Sequence, residues 1–185
     1  MRPDTSSHRS VGVRRTAAGR FRATNERGGT LDIASDGSAE FTPVELLLVA
    51  IAACTSMDVD VLTSRRAEPD EFSVEVGAEK IREDGPAGGN RLTDITLTLD
   101  ARCPEGVGGD AARALLPDAL RRSHDRLCTV SRTVELGSPV VARLADPAGA
   151  TTYVVLLDWR AGEIAAIRDF RFAPYVVDDL AITAL

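Results

Sequence analysis

One helix that is apolar on every side constrains the fold of this chain more than any other feature. Residues 43–66 predict that helix, because Thr42, Pro43 and Glu45 form a capping box with proline at the first helical position. The run that follows, LLLVAIAAC, is apolar around the whole circumference rather than along one stripe. Such a helix must be covered on every side. In a chain of 185 residues the cover comes most easily from a second subunit.

Length and charge exclude several classes of protein. A chain of 185 residues suits one domain, or one domain with an appendage. Its net charge of -6 argues against a general nucleic-acid binder, which usually carries a basic surface. No uninterrupted apolar run reaches the ~18–20 residues of a membrane-spanning helix, and MRPDTSSHRS lacks the apolar segment of a secretory signal. We therefore expect a cytoplasmic protein with neither a nucleic-acid nor a membrane partner.

Strand patterns flank the apolar helix on both sides. Residues 1–10 resemble a flexible arm, and residues 11–35 are strand-like, with turns near Gly19 and at Gly28-Gly29. Alternating apolar residues predict two further strands, at 71–79 and 91–102, joined as a hairpin.

A second helix and a strand-rich tail complete the chain. The second helix is predicted over residues 110–128, with Pro117 expected to kink it or divide it into two short helices. From about Pro139 the pattern predicts three strands, and five of the eight aromatic residues lie there. The predicted domains are therefore an arm at 1–10, a main domain at 11–141 and a β-rich extension at 142–185.

Three cysteines are the residues best suited to chemistry. Cys54, Cys103 and Cys128 are too few and too far apart for a disulfide scaffold, and in a reducing compartment a distant pair indicates chemistry. Two histidines leave little material for a Cys/His metal centre, so we expect no metal site and no cofactor. The competing interpretation of Cys54 is an inert buried thiol, because burial raises the pKa of a cysteine unless a cation lies nearby.

Two motifs carry a resemblance to a known family. The segment FTPVELLLVAIAACTSMDV and, later in the chain, CTVSRTVELGSPV together resemble the OsmC/Ohr family of thiol-dependent peroxidases, which reduce organic hydroperoxides. The first motif is a proline and acidic helix start that leads into an alanine-rich stretch and Cys54. The second is Cys128, two residues, then Ser131. The similarity covers roughly residues 11–141, and its details lean toward a less characterised branch of the superfamily.

The resemblance implies a fold and a reaction. The fold is an α+β intertwined homodimer, with central buried helices wrapped by antiparallel sheets and, in this chain, an extra β-rich tail. Cys54 would be the peroxidatic thiolate, which becomes a sulfenic acid on attacking an organic hydroperoxide. Cys128 would be the resolving thiol, forming a disulfide that an external dithiol reduces.

An arginine and a glutamate accompany the peroxidatic cysteine in the family. Counting back without gaps from Leu31-Asp32, the resemblance places Arg20 at the arginine position, with Arg22 as the fallback. The competing interpretation is a solvated hairpin arginine. The family has an acidic residue directly after the proline, where this chain has Val44. The nearest carboxylate, Glu45, lies about 100° further around the helix and cannot simply replace it. Glu45 therefore has two interpretations, as a catalytic residue or as the capping-box partner.

Other residues and other functions stay open at this point. Cys103, before Pro104, is expected at an edge or exposed, and His124 is expected on a helix surface. Asp58 and Asp60 are expected to be solvated or to face a partner subunit, and a like charge near Cys54 opposes thiolate formation. The alternative to a peroxidase is a dimer of the same fold without enzymatic activity, which binds a small apolar ligand or senses redox state.

The tail gives a first testable prediction. Truncation at about Pro139 removes strands whose apolar edges must dock against the rest of the protein, so the truncated chain should be insoluble or unstable. Solubility and size-exclusion chromatography beside the full-length chain provide the measurement. Recovery of a soluble, unaltered dimer would contradict the docking of the tail.

Overall fold

The computed structural model describes residues 7–35, 37–84, 88–145, 151–160 and 163–169. Within these ranges the chain forms eight strands, three α-helices and one π-helical turn, and every pair of neighbouring strands is antiparallel. The predicted α+β class is therefore confirmed. The chain divides into two units, one ending at Ala50 and the other beginning at Ile51.

A three-stranded antiparallel meander forms most of the first unit. Its strands are β1 (Val11–Ala17), β2 (Arg20–Asn25) and β3 (Thr30–Ala34). Gly19 and Gly28 hold the two connecting turns with φ of 67° and 84°, a left-handed conformation that favours glycine. Both turns lie where the sequence predicts them.

The first helix, α1 (Pro43–Thr63), begins at the predicted capping box. The Thr42 backbone N–H and hydroxyl donate to Glu45 Oε2 at 2.7 and 2.8 Å, and the Glu45 N–H donates to Thr42 Oγ1 at 3.3 Å. These bonds satisfy N–H groups that a helix start otherwise leaves without partners. The helix ends three residues before the predicted boundary at 66.

A single stripe of α1 is buried within the chain. Its buried residues recur at every fourth position, the spacing of one helix face: Ile51, Thr55, Val59 and Thr63. The exposed apolar side chains of α1 include Val44, Leu47, Val49, Met57 and Val61. The described residues of a single chain therefore leave much of this helix uncovered.

The length of α1 changes the expectation that the chain has no helix apolar enough to span a membrane. Among the described residues, α1 is long and apolar enough to cross a membrane by length and composition. The longest uninterrupted apolar run ends at Cys54, whereas the helix continues through Asp58 and Asp60 to Thr63. These two carboxylates in the second half of α1 are unfavourable inside a lipid bilayer.

The second unit contains a long antiparallel hairpin. Strands β4 (Glu71–Arg82) and β5 (Asn90–Arg102) pair along their lengths and extend beyond the predicted ranges. The register shifts between Gly77 and Glu79, and Asp94 on the facing stretch of β5 takes a φ of 52°, a conformation that aspartate tolerates better than most residues. The sheet therefore carries a bulge in the middle of β5.

The second helical region differs from the prediction. Pro117 lies inside a continuous helix, α2 (Val107–Arg122), so the division into two short helices that was one of the two expectations there is wrong. Because proline has no backbone N–H, Pro117 cannot donate to the carbonyl of Arg113, four residues earlier. Both residues are exposed, so water can donate to that carbonyl instead. The break comes later, at a π-helical turn (Ser123–Leu127), after which Cys128 caps a new helix, α3 (Thr129–Leu136).

Three antiparallel strands follow, as the sequence indicates for the tail. They are β6 (Ala142–Ala145), β7 (Thr151–Arg160) and β8 (Glu163–Asp169). Part of the predicted third strand, with Phe170 and Phe172, lies outside the described residues. The domain boundaries at 10 and 141, the intertwined dimer and the role of the extension at 142–185 stay predictions.

The capping box gives a testable prediction on stability. Thr42→Ala should lower the free energy of unfolding by about 1 kcal/mol, because it removes the side-chain bonds at the start of α1. Urea unfolding followed by circular dichroism measures the change. Thr42→Ser keeps the hydroxyl and should stay close to the original protein. Equal losses in both variants would show that the cap hydroxyl is not the cause.

Candidate functional site

Two cysteines that are distant in sequence meet in the second unit. Cys54 lies on α1, Cys128 lies directly before α3, and their side chains are hydrogen-bonded to each other. Both are free thiols; Cys128 is fully buried, and Cys54 is half-buried. The fold thus brings together the two cysteines that the sequence motifs single out.

The N-terminus of α3 surrounds both sulfur atoms with donors. Cys128 is the N-cap residue, and the Ser131 N–H donates to Cys128 Sγ at 3.3 Å. The Ser131 hydroxyl lies 3.1 Å from the same sulfur. The Val130 N–H donates to Cys54. These N–H groups belong to the first turn of α3, where a helix leaves them without internal partners and carries partial positive charge.

The surroundings shift the two thiol pKa values in opposite directions. Burial raises the pKa of Cys54, and the neighbouring Cys128 and the charge of Asp58 raise it further. The Val130 N–H acts in the opposite direction and lowers it. Burial also raises the pKa of Cys128, but the hydroxyl and N–H of Ser131, together with Cys54 and Thr55, bring it below its ordinary value. The two thiols therefore lie in electrostatically unequal surroundings.

A carboxylate next to Cys54 is held in place by the π-helical turn. Asp58 lies four residues after Cys54 on α1, and its Oδ2 accepts a hydrogen bond of 2.8 Å from Ser123 Oγ. Ser123 is fully buried. The sequence did not predict this serine partner from the same chain, and the expectation that Asp58 is solvated or faces a partner subunit stays a prediction. The expected opposition of Asp58 to a Cys54 thiolate is confirmed in direction.

A cavity of about 400 Å³ adjoins the cysteine pair within the second unit. Thr55 and Ser131, which both hydrogen-bond Cys128, line it together with apolar side chains of α1, β5, α2 and α3. His124 and Glu135 form its polar edge, with His124 Nε2 3.1 Å from Glu135 Oε1. The cavity therefore joins an apolar wall to the polar neighbours of Cys128.

The predicted arginine and glutamate lie in the first unit with other partners. Arg20 Nη1 lies 3.3 Å from Glu40 Oε1, and Glu45 is engaged in the capping box. The fallback, Arg22, forms a two-bond pair with Asp32 at 2.7 and 2.9 Å. Glu40 is a residue that the sequence analysis missed, although an acidic residue just before the helix cap was a usable signal. The roles of Arg20 and Glu45 toward the cysteines stay predictions.

The remaining candidates are placed clearly. Cys103 is only 7% exposed, and its carbonyl accepts from Arg113 Nη2 at 3.2 Å. The expectation of an exposed cysteine is therefore wrong, because Cys103, directly after β5, is almost fully buried. His124 is exposed, as expected, and contacts two carboxylates, Asp125 and Glu135.

Comparison with known sequences points to one family. The sequence model described as OsmC-like protein matches residues 35–143, more than half of the chain. An uncharacterized protein of Mycobacterium tuberculosis is 32% identical over 138 residues, which cover 72% of this chain and 94% of the relative. An uncharacterized protein of Mycobacterium bovis matches with the same identity and coverage.

Solved structures share the fold. A hypothetical protein from Aquifex aeolicus superposes with a TM-score of 0.56 at 20% identity, covering 72% of this chain and 91% of the other. An OsmC-like protein from Mycoplasma pneumoniae gives a TM-score of 0.54 at 13% identity, covering 70% and 88%. At these identities the likeness concerns the fold alone.

The Ser123–Asp58 bond gives a prediction on stability. Ser123→Ala should lower the free energy of unfolding by about 1–3 kcal/mol, because it leaves a half-buried carboxylate without its donor. Ser64→Ala is the matched control, since it removes an exposed serine–aspartate bond of 2.6 Å, which Ser64, directly after α1, donates to Asp60. Urea unfolding measures both variants, and a control loss as large as that of Ser123→Ala would contradict the argument.

Proposed function

This chain belongs to the OsmC-like protein family, and on that premise we propose that it is a thiol-dependent peroxidase of organic hydroperoxides. The observation that carries the proposal is the hydrogen-bonded contact of Cys54 with Cys128 at the start of α3. Two neighbouring thiols, one of them with a lowered pKa, can reduce a peroxide and then form a disulfide with each other. The resemblance of the two cysteine motifs to peroxidases supports the same reaction.

The reaction uses both thiols and an external reductant. A thiolate attacks the terminal peroxide oxygen, the O–O bond breaks, and the alkoxide takes up a proton and leaves as an alcohol. The resulting sulfenic acid reacts with the second thiol, forming a disulfide and releasing water. An external dithiol then reduces the disulfide and is itself oxidised. The family resemblance assigns the attack to Cys54 and the resolving step to Cys128.

Arg20 keeps its proposed role as the cation that holds the reacting thiolate. An arginine suits this role because it stays charged in a desolvated site. Its support in this proposal comes from Glu40, since Glu45 already accepts two bonds from Thr42. Glu45 then contributes by fixing the start of the helix that bears Cys54.

The assembly proposed for this activity is a cytoplasmic homodimer. Support comes from the apolar side chains of α1 that a single chain leaves exposed, among them Met57 and Val61. A second copy of the chain would cover them. A membrane is the less suitable cover, because Asp58 and Asp60 lie on the same helix.

A second candidate function is favoured by the cavity. A space of about 400 Å³ with mostly apolar lining suits a small apolar ligand that binds without turnover. The redox-sensing variant of this function would form the disulfide and stop there. Both alternatives differ from the peroxidase in one measurable respect, namely sustained consumption of hydroperoxide.

The test is dithiol-dependent turnover of cumene hydroperoxide, with hydrogen peroxide measured alongside. Wild type should turn over, and Cys54→Ser should lose about 100-fold or more, since a serine cannot replace the attacking thiolate. Cys128→Ser should be impaired, and Cys103→Ser, the matched control, should retain activity. A wild type as slow as both cysteine variants would end the peroxidase proposal and favour the ligand-binding function.

A further inference from the structure

We infer that a second cavity, between the end of α1 and the second half of α2, binds a small organic phosphate monoester. This cavity lies within the second unit and has a volume of about 380 Å³, which is in the size range of small-molecule sites. Among the described residues it shares no lining side chain with the cavity beside the cysteine pair. The inference concerns binding alone and does not depend on the reaction proposed for the cysteines.

The lining of this second cavity is positively charged, although the chain as a whole is acidic. Arg65, Arg66 and Arg122 line it together with one carboxylate, that of Asp118. These four side chains carry two net positive charges, in a chain whose net charge is -6. Arg65 and Arg66 have no ion-pair partner among the described residues. Their guanidinium groups are therefore available to an incoming anion.

The third arginine of the lining is held in place by Asp118. Arg122 Nε lies 2.6 Å from Asp118 Oδ2, and Arg121 pairs with the other carboxylate oxygen. A guanidinium has five N–H donors, so the donors on the Nη atoms of Arg122 remain for a ligand. Because Asp118 already orders this side chain, less conformational entropy is lost when the ligand binds.

The backbone that carries Arg65 and Arg66 is ordered as well. The Arg66 N–H donates to the Thr63 carbonyl at 2.9 Å, so a tight hydrogen-bonded turn follows the end of α1. The Arg66 carbonyl packs against Gly108 in the first turn of α2, where a Cβ atom would lie only 2.9 Å from it. The two arginines therefore extend from a turn that is packed against α2.

Apolar side chains provide the rest of the lining. They are Leu62 on α1 and Leu115 and Ala119 on α2. Ala119 is buried, and the two leucines are half-buried. These side chains can cover the organic part of a ligand while the guanidinium groups bind its anionic end.

Charge and geometry favour a phosphate monoester over an anion of single charge. A monoester carries close to two negative charges at neutral pH, since its second pKa is about 6, and this matches the net charge of the lining. Its three terminal oxygens can accept hydrogen bonds from several guanidinium groups at once. A carboxylate or a sulfate ester would leave one positive charge of the lining unbalanced.

The test is isothermal titration calorimetry of the full-length protein with phenyl phosphate at about pH 7.5, where this ligand is a dianion. Phenyl sulfate has the same shape and a single charge, and inorganic phosphate lacks the organic group. The variant Arg65→Gln/Arg66→Gln removes two lining charges at exposed positions. The matched control is Arg14→Gln/Arg15→Gln, which removes two consecutive exposed arginines of β1 outside the cavity.

Phenyl phosphate should bind at least about fivefold more tightly than either comparison anion, because one lacks a charge and the other lacks the apolar contact. Arg65→Gln/Arg66→Gln should weaken its binding by about tenfold or more, and the control should stay within about twofold of wild type. Equal affinity for inorganic phosphate would indicate an adventitious ion only and overturn the inference. Equal affinity for phenyl sulfate, no binding of phenyl phosphate, or equal losses in the two variants would also overturn it.

Arg121 and Arg122 offer a second test, because both pair with Asp118 and only Arg122 lines the cavity. Arg122→Gln should weaken the binding of phenyl phosphate by about fivefold or more, since donors to the phosphate are lost. Arg121→Gln removes the same charge at a similarly exposed position and should change the affinity by less than about twofold. Equal effects of the two substitutions would overturn the placement of the phosphate in this cavity.

Discussion

The contact between the start of α3 and the middle of α1 is the interaction on which the candidate site depends. The first turn of α3 has N–H groups without helical partners, and two of them donate to sulfur, Val130 to Cys54 and Ser131 to Cys128. Without this contact both thiols would be ordinary buried cysteines with raised pKa values. The helix start therefore helps to lower the pKa of Cys128 and opposes part of the rise in the pKa of Cys54.

The position of α3 depends in turn on the π-helical turn before it. The Cys128 N–H donates to the Ser123 carbonyl at 2.9 Å, so the chain completes a wider turn before α3 begins. The same turn supplies the Ser123 hydroxyl to Asp58. One irregular turn thus sets the donors of Cys128 and the negative charge beside Cys54, and the asymmetry between the two thiols follows from both.

The apolar helix α1 packs one of its faces inside the chain and leaves its other apolar faces exposed. Its stripe from Ile51 to Thr63 packs inside the chain and carries Thr55 against the cysteine pair. Its other faces remain apolar and exposed, which is unfavourable in water. A second copy of the chain is the cover that the proposed dimer supplies, and the same association would enclose the helix that bears Cys54.

The sequence by itself determined the capping box and the pairing of Cys128 with Ser131, because the partners in each lie within four residues of each other. It also determined most of the strands, because a strand follows a simple alternation of apolar and polar residues. The sequence did not determine that Cys128 begins a helix rather than ending one. It also missed the partners Ser123 of Asp58 and Glu40 of Arg20. These hydrogen-bond partners come from distant segments of the chain. Only the tertiary structure decided that Cys128 is surrounded mainly by hydrogen-bond donors, whereas Cys54 also has the carboxylate of Asp58 beside it.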